Sequence, residues 1–160
     1  MKMKQLAIAG LLATAFTLAA CSGDSAPVAE AEPEGVPGLS VENARLVLAP
    51  VSGNPAAGYF DLKYENDRGL AIRRADVSSA EKTEIHAYGE WNGETTMAEA
   101  MEIAIHNGTE IAFEPGGYHL MVFDLDESVA AGDSVKFTLT VSGGDKHSFD
   151  AEVLAAGDER

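Results

Sequence analysis

The chain has 160 residues, 11 Lys+Arg against 26 Asp+Glu, a formal net charge of −15 and 46% hydrophobic residues. That length holds one domain of ordinary size, and the apolar fraction is that of a globular protein. The acidity argues against nucleic acid or an anionic membrane surface as an electrostatic partner, and a single cysteine excludes an intramolecular disulfide, a CxxC pair and any multi-thiolate metal site.

Taken in chain order, the first segment is an address. Lys2 and Lys4 precede Leu6–Leu18, an uncharged and largely apolar run. This is the layout of a secretory signal, and the run is short of the roughly 20 residues a membrane-spanning helix needs. It ends Leu18-Ala19-Ala20-Cys21, which resembles a bacterial lipoprotein box. The resemblance implies removal of residues 1–20, lipidation of Cys21 and a membrane anchor facing the periplasm. Ser22 after the cysteine favours the outer membrane over the inner one by the same resemblance. Loss of Lys2 and Lys4 leaves nine basic residues (11 less two) against 26 acidic ones, a balance of −17.

Residues 21–38 then form the lipidated cysteine and an acidic tether rich in Ala, Pro, Glu and Gly, with only Val28 and Val36 as bulky apolar residues. Such a stretch buries too little surface to offset its ordering entropy. From residue 39 to 156 the texture is that of strands, ahead of a short tail at 157–160. Apolar and polar residues alternate most clearly in Ser134–Val141, where Val135, Phe137, Leu139 and Val141 share one face. Further strands are expected at Ala44–Leu48, Gly58–Glu65, Ala71–Ser78, Lys82–Tyr88, Met101–Ile105, Thr109–Phe113, Tyr118–Leu125 and His147–Leu154. A turn of helix is expected within Thr95–Ala104, and Asn107-Gly108 between two β-like runs predicts a hairpin. Many short strands at close spacing predict a single all-β domain, a sandwich or barrel.

No G-x-S-x-G, phosphate loop, HExxH or GxGxxG occurs, so no enzymatic centre is expected. What remains is His86, His106, His119, His147, Met97, Met101 and Met121. His119 and Met121 project from one face of a strand, with Leu120 and Val122 on the other. Two imidazoles and two thioethers make a soft, neutral ligand set that selects Cu(I), whereas carboxylates and waters suit Mg or Ca. Such a site without an open position is a carrier's rather than a catalyst's. A lone His-x-Met strand is also compatible with plain packing, because methionine is a common core filler.

The spacing His86-x10-Met97-x21-His119-x-Met121 resembles the signature of the periplasmic copper chaperones called PCu(A)C. Pro115-Gly116-Gly117-Tyr118-His119-Leu120-Met121, Ala57-Gly58-Tyr59-Phe60-Asp61-Leu62 and the run from Ala131 to Thr140 are similar to other stretches of that family. The resemblance covers about Val41–Val153. It implies a cupredoxin-like Greek-key β-sandwich, a monomer, that binds one Cu(I) through His86, Met97, His119 and Met121. It also implies copper delivery toward the binuclear centre of cytochrome c oxidase, with subunit II or a Sco-type protein as partner. This chain departs from the family in having Ala87 and Tyr88 after the first histidine, where relatives often carry methionine. It also has an acidic stretch around Trp91, which leaves Met101 as an alternate to Met97. His106 and His147 are expected to be ordinary strand or turn residues. The competing expectations are copper storage or relay, and a scaffold or adhesion lipoprotein without metal.

Overall fold

The computed structural model describes residues 35–158. The expected signal sequence, Cys21 and most of the expected tether lie outside the described residues. The domain is all-β, with ten strands: β1 (Leu39–Val47), β2 (Ala56–Tyr64), β3 (Leu70–Val77), β4 (Ala80–Trp91), β5 (Glu94–Glu99), β6 (Ile103–Ile105), β7 (Thr109–Phe113), β8 (His119–Leu125), β9 (Ser134–Val141) and β10 (Lys146–Leu154). Hydrogen bonding runs through them as one path, β5-β4-β8-β2-β1-β10-β9-β3-β6, with β7 also paired to β2. The path folds back on itself, so that β2 and β8 pack across the core from β9 and β10. Phe60 of β2 stacks on Phe113 at 4.1 Å and meets Phe149 at 5.2 Å and Phe137 at 6.4 Å edge-on. Two apolar layers of one rolled sheet thus close the sandwich, and Leu46, Phe60, Ile72, Leu120, Val122, Phe137, Leu139 and Val153 are fully buried in it.

Alternation predicted β7 and β9 to the residue, because in both a regular period of two marks the pleat. The first strand begins five residues earlier than expected. A register shift between Glu42 and Arg45, with Asn43 at φ 54°, breaks the alternation and hides Leu39–Glu42 from a periodicity reading.

Two expectations are corrected. Thr95–Ala104 contains no helix; its first part is strand β5, made extended by pairing with β4. Asn107-Gly108 does form a turn, with Gly108 at φ 82° and a Thr109 N–H to His106 carbonyl bond of 2.9 Å. The strands it joins do not pair with each other, since β6 pairs β3 and β7 pairs β2. That turn passes the chain from one end of the hydrogen-bonded path to its middle. The tight hairpin is at Asn92-Gly93, where Trp91 faces Glu94 and both turn residues have positive φ, 54° and 81°. A two-residue turn with this pair of angles matches the twist of the strands it joins.

Residues 35–38, read from sequence as the end of the tether, are seated on the domain. Val36 is buried, its N–H donates to His147 Nδ1 at 3.2 Å, and Glu65 N–H donates to the Gly38 carbonyl at 2.7 Å. A residue with little apolar company in sequence found a partner 111 positions away. Burial holds the His147 imidazole below its ordinary range. Only the neutral ring can accept the Val36 proton, so the unfolded chain takes up a proton first as pH falls. The contribution of His147 to stability is whole above about pH 6.5, the ordinary histidine value, and is lost below it. Thermal unfolding at pH 7.5 and 5.5 is expected to show a lower Tm at the acid end. His147→Gln, which retains a neutral acceptor, is expected to flatten that part of the pH profile.

Candidate metal centre

His86 and His119 face each other as the last matched pair of the β4–β8 ladder. Beyond His86, β4 leaves β8 and continues with β5 alone as a two-stranded ribbon. The pair sits at that fork. Ile85 and Leu120, the neighbouring pair, point into the core and are buried, so the two imidazoles lie on the opposite face. Their ring centroids are 6.0 Å apart.

Register carries the two thioethers to the same face. Met121 lies two residues beyond His119 on β8 and pairs with Glu84, two residues before His86. Met97 on β5 pairs with Tyr88, two residues after His86, while Glu99 is opposite His86 itself. His86 therefore has His119 directly across and one methionine on each diagonal, a spacing within reach of long side chains. Met97 is 44% exposed on the ribbon, and Met101 lies past the end of β5, 81% exposed and outside this register. The backbone brings His86, Met97, His119 and Met121 together on one face and leaves Met101 unplaced by any strand pair.

Each imidazole has one nitrogen engaged. His119 is buried, and its Nδ1–H donates to the Gly117 carbonyl at 3.2 Å, which leaves the Nε2 lone pair available. The Pro115-Gly116-Gly117 turn makes this possible. Gly116 sits at φ 86°, and Gly117 N–H bonds back to the Glu114 carbonyl at 3.0 Å. His86 Nε2 contacts Glu84 Oε2 at 2.9 Å, while its Nδ1 is buried and has no hydrogen-bond partner among the described residues. A buried acceptor left unmatched costs about 1–3 kcal/mol. A buried nitrogen without a partner, on a ring whose centroid is 6.0 Å from that of His119, is chemistry that suits a metal, and the face also carries two thioethers. Among the described residues, no three His, Cys, Asp or Glu side chains are grouped as a metal site.

The stretch of chain that carries these residues is acidic. No Lys or Arg occurs between Lys82 and Lys136, whereas eleven carboxylates do. Lys82, ion-paired to Glu84, holds the Glu84 carboxyl below its ordinary range, with the His86 hydrogen bond adding to the effect. Tyr88 covers part of His119, with ring centroids 5.6 Å apart. Sequence reading missed Glu84 and the Gly117 carbonyl as the groups that orient the two imidazoles. Glu84, at i−2 from His86 on one strand, was within reach of the alternation argument; a backbone carbonyl carries no signal in side-chain pattern. His106 is at an exposed turn beside Thr109, and His147 anchors Val36. Neither belongs to the His86–His119 face.

The fold defines a class. It is that of the PCuAC domains, as two solved structures show. The copper-bound PCuAC domain from PmoF2 is 20% identical and superposes with a TM-score of 0.60, over 76% of this chain and 96% of that one. The solution structure of apo-DR1885 from Deinococcus radiodurans is 19% identical with a TM-score of 0.58, each chain covered in full. Residues 39–153 match the family described as "Putative lipoprotein LpqE-like", and the chain belongs to that LpqE-like family. It is also 32% identical over 108 residues to "Putative lipoprotein Lxx21020" of Leifsonia xyli subsp. xyli. The match covers 67% of this chain and 64% of that relative's length.

Proposed function

We propose that this protein is a Cu(I) carrier of the cell envelope, anchored by lipid on Cys21, with His86, Met97, His119 and Met121 as the copper ligands. The observation that carries the reading is the orphaned Nδ1 of His86 on the face it shares with the available Nε2 of His119 and the two thioethers. Soft ligands of this kind prefer Cu(I). Methionine binds without losing a proton, so the site keeps its thioethers at any pH. The likeness of the fold to a copper-bound PCuAC domain supports the same reading. The lipoprotein family supports an anchored, envelope-facing protein, and intact mass of the membrane-extracted chain tests acylation of Cys21.

The finer part of the proposal is delivery. Copper would pass toward the binuclear centre of cytochrome c oxidase, through subunit II or a Sco-type protein as acceptor. The acidic stretch of chain that carries the ligands suits a transient encounter with a basic surface, which weakens as salt rises. Both steps are transfers between binding sites, with no reaction catalysed. Titration of the reduced protein with Cu(I) against a competing chelator is expected to show tight binding of one equivalent. Met97→Ala weakens it, because Met97, paired with Tyr88, sits on the diagonal from His86 on the same face, and Met101→Ala leaves it unchanged. Absence of tight stoichiometric binding overturns the proposal; the reverse ranking of the two methionines overturns only the assignment of Met97.

A further inference from the structure

The two imidazoles are not held alike, and the difference has a consequence for which nitrogen meets the metal. His119 is fixed through Nδ1 by a backbone carbonyl, but His86 is fixed through Nε2 by a side chain, Glu84. We propose that Glu84 is a positioning residue that pins His86 as its Nε2–H tautomer, so that His86 offers Nδ1 and His119 offers Nε2 to the same ion. This rests on the Cu(I) reading of the face.

Three observations meet on it. The Glu84 carboxylate has no proton to give, so the hydrogen in its 2.9 Å contact belongs to His86 Nε2. The neutral ring then carries its lone pair on Nδ1, the atom that is buried and unmatched. Glu84 is paired through its other oxygen, Oε1, with Lys82, so Oε2 is the oxygen turned to His86. A carboxylate hydrogen-bonded to the far nitrogen of a ligating histidine sets ring orientation and raises the basicity of the metal-facing nitrogen, and its removal costs about 10–100-fold in affinity. Glu84 and His86 are both on the outer face of β4, with side chains 19% and 14% exposed, so replacing Glu84 removes no core contact. The arrangement makes the site asymmetric: one imidazole is oriented by a rigid turn, the other by an ion-paired side chain that a mutation can release.

The test uses long-range 15N correlation of the histidine rings in the apo protein at pH 8, followed by Cu(I) addition. The wild type is expected to show His86 as a single Nε2–H tautomer and His119 as the Nδ1–H tautomer. Cu(I) should then perturb Nδ1 of His86 and Nε2 of His119. Glu84→Ala should convert His86 to a mixture of tautomers, leave His119 unchanged and weaken Cu(I) about 10–100-fold. Glu84→Gln, whose amide oxygen still accepts from Nε2–H, should restore most of the tautomer bias. A His86 proton on Nδ1 in the apo protein, or a tautomer indifferent to Glu84→Ala, overturns the inference. Copper bound through Nε2 of His86 overturns it too and leaves the copper reading standing. Histidine signals unmoved by Cu(I), with the apo tautomers as stated, overturn the copper reading and not the role of Glu84.

Discussion

Replacing either histidine of the fork is expected to abolish tight Cu(I) binding. His86→Ala and His119→Ala each remove a proposed ligand, one from either side of the matched pair that ends the β4–β8 ladder. The loss should exceed the roughly 100-fold ceiling for removing an outer hydrogen-bond partner. Neither side chain shares the core face with Ile85 and Leu120, so both apo variants should fold. The readout is therefore double. A ligand that binds only the native state raises stability by about 4 kcal/mol at a thousandfold excess over its Kd, so copper should raise the Tm of the wild type and not of the variants. Chelator competition on the same samples gives the affinity. Unchanged copper binding in both variants would show that the ion sits elsewhere.

The second large effect is on stability. Phe60 is fully buried, stacked on Phe113 and edge-on to Phe137 and Phe149, so four aromatic rings from β2, β7, β9 and β10 meet at one point. Phe60→Ala opens a cavity in that junction. Its expected cost is about 3–5 kcal/mol, or on the order of 10–20 °C in Tm for a domain of this size. Urea unfolding should move to a lower midpoint at unchanged slope, since the surface exposed on unfolding is nearly the same. The described domain contains no cysteine, so no disulfide compensates. A loss below about 1 kcal/mol would mean that the rings repack, contrary to the fixed geometry described above.

Much of the strand inventory was legible because strand formation here is a local matter. In β9, Val135, Phe137, Leu139 and Val141 alternate with polar residues, and burial follows that alternation directly. The motif spacing from His86 to Met121 was equally visible, since spacing is a property of the chain alone. Whether Asn-Gly makes a paired hairpin was not legible. Asn92-Gly93 does and Asn107-Gly108 does not, although the dipeptides are identical. The turn chemistry is the same in both, and what differs is whether the flanking strands find better partners far away in sequence.

The sequence by itself determined the all-β class, the place of nine of the ten strands, the acidic character and the four residues in copper-chaperone spacing. The tertiary structure alone decided that His86 stands opposite His119 and that Glu84 and the Gly117 carbonyl each occupy one imidazole nitrogen. It alone decided that Val36 docks on His147 from a segment with the composition of a linker. The physical reason is that alternation and turn preference act between neighbours in the chain. Strand pairing and hydrogen-bond orientation are fixed by contacts across long loops, whose partners are chosen only when the whole core closes.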